Sequence, residues 1–308
     1  MHLQSTAIGH AFSMCAALAV LTSLAYSISA DSIDTITVEA QRDKAKLERE
    51  VNKFVSSTIV QPRNYDQSLW RWNDKVCPLV AGLNKEQGEF VLARLSEIAK
   101  TAGAPLGSET CKANLYVVVT PDPELLLKQW WHRDVDLFGG ETGPIVKRFL
   151  ETPLPIRVWY SAGTVGADGQ FFVSLLDATS ERAKPTGQAP WVRIPPEAAT
   201  RLKLTATRNI FSVIVVVDST KIRNISYGQL TDYIGLVGLA QINFEKQPGD
   251  VPTILRLFDS PEESRPTQMT VWDRALLHAL YSTSQTNEMQ LSQMQTVALK
   301  DIAPKLQN

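Results

Sequence analysis

The stretch that most limits what this chain can fold into is residues 211–241, an apolar strand, a short turn and a capped apolar helix. Phe211-Ser-Val-Ile-Val-Val-Val217 is β-branched and nearly uninterrupted, the pattern of a strand covered on both faces. It is expected inside a sheet. After Asp218 the chain turns, and Ser226 with Gln229 has the spacing in which a hydroxyl accepts from one backbone N–H while the amide three residues on reaches back to the cap. Leu230, Tyr233, Ile234, Leu236, Val237, Leu239 and Ala240 then cover most of a helix's circumference, so this helix needs neighbours on several sides. It is too short to span a bilayer, which takes about 20 residues.

The rest of the chain supplies those neighbours. Asn84 with Gln87 caps a helix running to about residue 102, with Phe90, Val91, Leu95, Ile98 and Ala99 inward and Gly103 as its stop. Residues 115–120 read as a strand. Pro123 opens a helix over residues 124–132, and a short one follows at 145–150. Residues 156–160 and 171–176 read as strands joined through a hairpin containing Gly166 and Gly169. Residues 180–197, rich in Pro, Gly and charge, read as a surface loop, and 242–264 as mostly loop. Thr270 and Asp273 cap a helix through Tyr281, and residues 288–302 form the last one. The fold class expected is α+β, a mixed sheet covered by helices.

The order strand, turn, buried helix and then a Thr270-x-Trp272-Asp273 helix ending in Leu280-Tyr281 resembles a group of secreted bacterial proteins with a metzincin-type zincin fold. The resemblance covers residues 75–300. In the metzincin pattern H-E-x-x-H-x-x-G-x-x-H/D, two histidines one helical turn apart bind zinc and the glutamate between them activates water. Setting the glycine of the pattern on Gly238 puts Thr231 and Gly235 at the first two histidine positions, Asp232 at the glutamate and Gln241 at the third ligand. All the zinc ligands are replaced. The resemblance therefore implies the architecture of a protease without its active site: a pseudo-enzyme with no metal, no cofactor and no catalytic residue. The competing reading of the same helix is a plain core element in which Gly235 and Gly238 admit a close neighbour.

Other chemistry is sparse. Beyond the first thirty residues the histidines are His132 and His278, on different predicted helices. There is no G-x-S-x-G nucleophile elbow, no P-loop and no dinucleotide fingerprint. Asp122 with Glu124 and Asp134 with Asp136 are explained by a helix start and a loop. Trp130-Trp-His-Arg133 is a candidate binding surface, with an amphipathic helix end as the alternative. A formal net charge of −1 gives no electrostatic case for nucleic acid. The enzymatic alternative is a secreted hydrolase whose site is assembled from Asp232, His132 and His278, which requires them to converge within hydrogen-bonding reach.

The first thirty residues carry no Lys, Arg, Asp or Glu and read as a secretory signal peptide, cleaved after Ala25 or Ala30, with Met1 or Met14 as the start. An uncleaved anchor over residues 11–30 is the alternative. No other membrane span is expected. An exported protein of the periplasm or cell surface follows, and the two cysteines left after processing, Cys77 and Cys111, are then expected to form a disulfide. Asp34, Thr35, Ile36, Thr37 and Val38 resemble a TonB box, which implies an extended segment able to add a strand to a TonB-type envelope partner. Leu47, Val51, Phe54 and Val55 mark one stripe of a charged helix from about residue 44 to 60. The organisation expected is a signal at 1–30, an extended segment and helical arm at 31–74, and a globular α+β domain at 75–308.

Overall fold

The structure, a computed structural model, describes residues 30–61, 68–139, 143–166, 171–172, 206–285 and 289–306. The signal segment, the loop at 180–197 and the rest of the strand expected at 171–176 lie outside the described residues. The chain divides into two compact units, Met1–Lys44 and Ala45–Asn308. In the first, the described residues are helical, the opening part of α1 (Ala30–Thr58). Asp34 to Val38 is therefore helix, not an extended strand. The stretch has no Gly or Pro, and a helix already nucleated downstream extends through β-branched residues at a cost of only about 0.7 kcal/mol each or less.

The second unit starts thirty residues earlier than the sequence suggests. Val51, Phe54 and Val55 are fully buried, and Phe54 meets Trp272 edge-on with ring centroids 5.6 Å apart. The stripe read as one side of an arm is core. An isolated antiparallel Ile59–Ile242 bridge ties the chain just after α1 to the segment that leaves the central helix.

The sheet contains β1 (Pro78–Ala81), β2 (Leu115–Thr120), β3 (Ile156–Gly166), β4 (Phe171–Phe172) and β5 (Ala206–Asp218), in the order β1-β2-β5-β3-β4. β1, β2 and β5 are parallel, while β3 runs antiparallel to β5 and β4 antiparallel to β3. The sheet is mixed, and helices cover it, giving an α+β fold. β5 is its middle strand, as its unbroken apolar run requires. Successive side chains alternate between two cores: Val213, Val215 and Val217 join the larger, and Ile214 and Val216 the smaller.

The larger core is closed by α2 (Lys85–Ala102), α5 (Tyr227–Leu239), α6 (Val271–Ser282) and α7 (Gln290–Leu306) together with the last turns of α1. The smaller is closed by α3 (Pro123–Arg133), a 3-10 turn at Val135–Phe138 and α4 (Pro144–Glu151), with Phe138, Phe149 and Trp159 in mutual ring contact. Three capping boxes set helix starts: Asn84/Gln87 on α2, Ser226/Gln229 on α5 and Thr270/Asp273 on α6. Among the described residues no helix is long and apolar enough to cross a membrane.

Cys77 and Cys111 are disulfide-bonded, with Cα atoms 5.9 Å apart, closing a loop that holds β1 and α2. Gly107 lies against the bridge, where a Cβ would come within 2.4 Å of the Cys111 sulfur.

Asp273 does more than cap. Its carboxylate is fully buried and also accepts from the Thr253 hydroxyl at 2.5 Å and the Ile254 N–H at 2.9 Å, tying the 3-10 turn Ile254–Leu257 to α6. Burial pushes this carboxyl above the usual carboxylate range, against the opposing pull of the hydrogen bonds from Thr253, Thr270 and Ile254. The folded state thus keeps the proton to higher pH than the unfolded chain, whose carboxyl titrates near about 3.9. Its stabilising contribution is complete below that value and is lost as pH rises through the folded value. In urea unfolding, the stability of the natural chain relative to Asp273→Asn is expected to fall as pH rises above about 4. A difference that stays constant on raising the pH from there would show that the carboxyl is already ionised in the folded state.

Candidate functional site

α5 is a core helix, with every residue from Leu230 to Ala240 buried. The positions matched to zinc ligands are occupied by packing. Thr231 donates its hydroxyl to the Tyr227 carbonyl at 2.6 Å within the same helix. A Cβ on Gly235 would stand 2.7 Å from Ile98 of α2, and one on Gly238 would stand 3.2 Å from Leu115 of β2. Gln241 is half-buried, and its backbone carbonyl accepts from the Val60 N–H at 3.1 Å. Among the described residues no group of three or more His, Cys, Asp or Glu is placed to hold a metal ion.

Asp232, which the sequence resemblance sets on the glutamate of the zinc pattern, is 1% exposed and accepts three hydrogen bonds. Arg94 of α2 approaches it side-on, Nε at 2.5 Å from one oxygen and Nη2 at 2.8 Å from the other, and the Met269 N–H adds a third bond at 2.6 Å. A carboxylate taken out of water needs this: an opposite charge and a donor for each oxygen. Donating these bonds to the carboxylate in turn holds the Arg94 guanidinium pKa above its ordinary value.

The Arg94–Asp232 pair forms one wall of a cleft of about 410 Å³ between α2, α5, α6 and α7, within the ~300–1,000 Å³ of small-molecule sites. Its other walls carry Glu97, Arg274, His278, Asp301 and Lys305. His278 of α6 lies 2.6 Å from Asp301 of α7 through Nδ1, so the histidine is partnered across two packed helices.

The proposed catalytic trio does not assemble. Asp232 and His278 do line one cleft, but each is already engaged by another residue. His132 stands exposed on α3, which packs on the sheet face opposite α5, with its ring 5.3 Å from that of Trp131. The tempting acid pair at α3 is also accounted for: Asp122 accepts from the Leu125 N–H as N-cap, and Glu124 pairs with Lys128 at 2.6 Å.

Sequence reasoning missed Arg94, Arg274 and Asp301. Arg94 sits beside Val91, Leu95 and Ile98 on α2, and Asp301 beside Ala298 and Ile302 on α7, each flanking an apolar stripe at helical spacing. That placement marks a charge at the edge of a helix interface and was the available signal. Nothing in it names the partner.

The far end of α5 is held by side chains from outside the helix. Trp72 Nε1 donates to the Gly238 carbonyl at 2.8 Å, the Tyr281 hydroxyl to Leu239 at 2.6 Å, and the Tyr160 hydroxyl to Val237 at 2.7 Å. These are among the carbonyls a helix leaves without an internal partner. Burial raises both phenols well above the ordinary tyrosine range, so they remain donors even in alkali.

No protein-family model matches the chain, and neither does any curated protein or solved structure.

Proposed function

We propose that this chain is an exported, non-catalytic binding protein of the cell envelope, with a zincin-like architecture whose central helix serves packing in place of zinc chemistry. The observation that carries the reading is the state of Asp232. At the position of a water-activating acid stands a buried carboxylate whose oxygens are both bonded to Arg94, with the Met269 N–H as a further donor. Gly235 and Gly238, at the second ligand and the pattern's glycine, are packed against Ile98 and Leu115, which would have to shift to admit a larger side chain. The order β5, α5, α6 supports the likeness to zincins. Export is supported by the uncharged leader and by the Cys77–Cys111 disulfide, since such bonds persist in oxidising compartments.

The test is metal content. The purified mature protein, dialysed without chelator, is expected to hold no stoichiometric zinc. One zinc per chain would overturn the reading and reopen the hydrolase alternative.

A TonB-type envelope protein is the partner proposed for residues 34–38. Because this stretch is helical, strand addition requires it to unwind first, and the surrounding main-chain hydrogen bonds oppose that. Deleting residues 34–40 is expected to abolish co-purification with such a partner. Unchanged recovery removes the segment from the proposal and leaves the rest standing.

A further inference from the structure

We propose that the cleft between α2, α5, α6 and α7 binds a small oxyanion, a carboxylate or phosphate group, received by the outer edge of Arg94 and by Arg274. The inference rests on the binding-protein reading and gives it a ligand class.

Arg94 is held by Asp232 from one side only. Its Nε and one N–H of Nη2 are engaged by Asp232, which uses one side of the planar guanidinium. The end-on edge, formed by Nη1 and the outer N–H of Nη2, makes no hydrogen bond among the described residues. That edge is a second fork of the same geometry, matched to a carboxylate or phosphate. Arg94 is 31% exposed along the side chain, so the fork is reachable from solvent, whereas Asp232 behind it is not.

Rigidity adds to the case. A lone surface arginine loses much side-chain entropy when it clamps a ligand. Here the buried carboxylate has already fixed the guanidinium plane, so less ordering remains for the ligand to drive. Arg274 and Lys305 bring two further cations to the same cleft, and neither side chain has a hydrogen bond or ion pair among the described residues. Glu97 opposes them, and Asp301 is engaged by His278. The mixture of signs disfavours a long polyanion and suits a small ligand with one anionic head. Ile98, Ala102, Val271 and Leu277 supply apolar wall for its body.

The bland account of Arg94 is a structural pin between α2 and α5, and it predicts that the fork stays empty. Titration of the full chain, by calorimetry, with glutarate and separately with inorganic phosphate decides between them. Saturable millimolar binding of at least one probe is expected, reduced about tenfold in Arg274→Gln, the loss of one charge-assisted contact. Arg274 is exposed and its side chain has no partner among the described residues, so this variant should melt as the natural chain does. Arg133→Gln, on α3 outside the cleft, should bind unchanged. Saturation by only one probe narrows the class and supports the proposal. Failure of both probes to saturate, or undiminished affinity in Arg274→Gln, overturns it. Metal content reports separately on the parent reading: a zinc-free chain that binds neither probe loses this inference alone.

Discussion

Replacing Arg94 with methionine is expected to destabilise the chain by about 3–5 kcal/mol, because it leaves the Asp232 carboxylate buried without its counter-charge. The magnitude follows from burial: Asp232 is 1% exposed, and the Met269 N–H alone cannot replace two charge-assisted bonds. The double variant Arg94→Met with Asp232→Asn should recover most of the loss. An amide carbonyl still accepts from Met269, and no unpaired charge remains. Denaturant unfolding of the single and double variants checks both statements. A loss under about 1 kcal/mol in Arg94→Met would put the pair in the class of solvent-screened surface bridges and remove its structural role.

Removing the Cys77–Cys111 disulfide by a double alanine substitution should lower stability by about 4 kcal/mol in the chain-entropy account, given the 34-residue separation it closes. The loop contains β1 and the whole of α2, so the element that carries Arg94 is the one constrained. Unfolding in denaturant, compared with the natural chain under reducing and non-reducing conditions, reads the effect. If the natural chain loses no stability on reduction, the loop is already held by its packing.

What the sequence disclosed was local. β5 was legible because a short apolar run rich in β-branched residues favours a buried strand over a helix, and α2, α5 and α6 because each carries a capping box whose two halves lie three residues apart. β1 was missed: it has four residues, begins with Pro78 and keeps Leu79 42% exposed, so no apolar period develops. Val51, Phe54 and Val55 were visible as a stripe, but a stripe does not say what it packs against, and Trp272 lies far along the chain. The cleft was hidden for the same reason. Arg94 and Asp232 are 138 residues apart, and neither position is unusual by itself. Residues 34–38 failed in the other direction: a short likeness suggested an extended segment where the helix continues.

The donors at the end of α5 bear on the order in which this chain can fold. Trp72, Tyr160 and Tyr281 lie 166, 77 and 42 residues from the carbonyls they serve, one before the sheet begins, one in its antiparallel strand and one near the C-terminus. Contacts that bridge such separations form late, since chain entropy must be lost before they contribute. The last turn of α5 therefore cannot mature by itself, however strong the capping box at its start. It acts as a checkpoint: amide exchange there should slow only when the segment before β1, the sheet and the final helices have all docked, which makes it a local reporter of global folding.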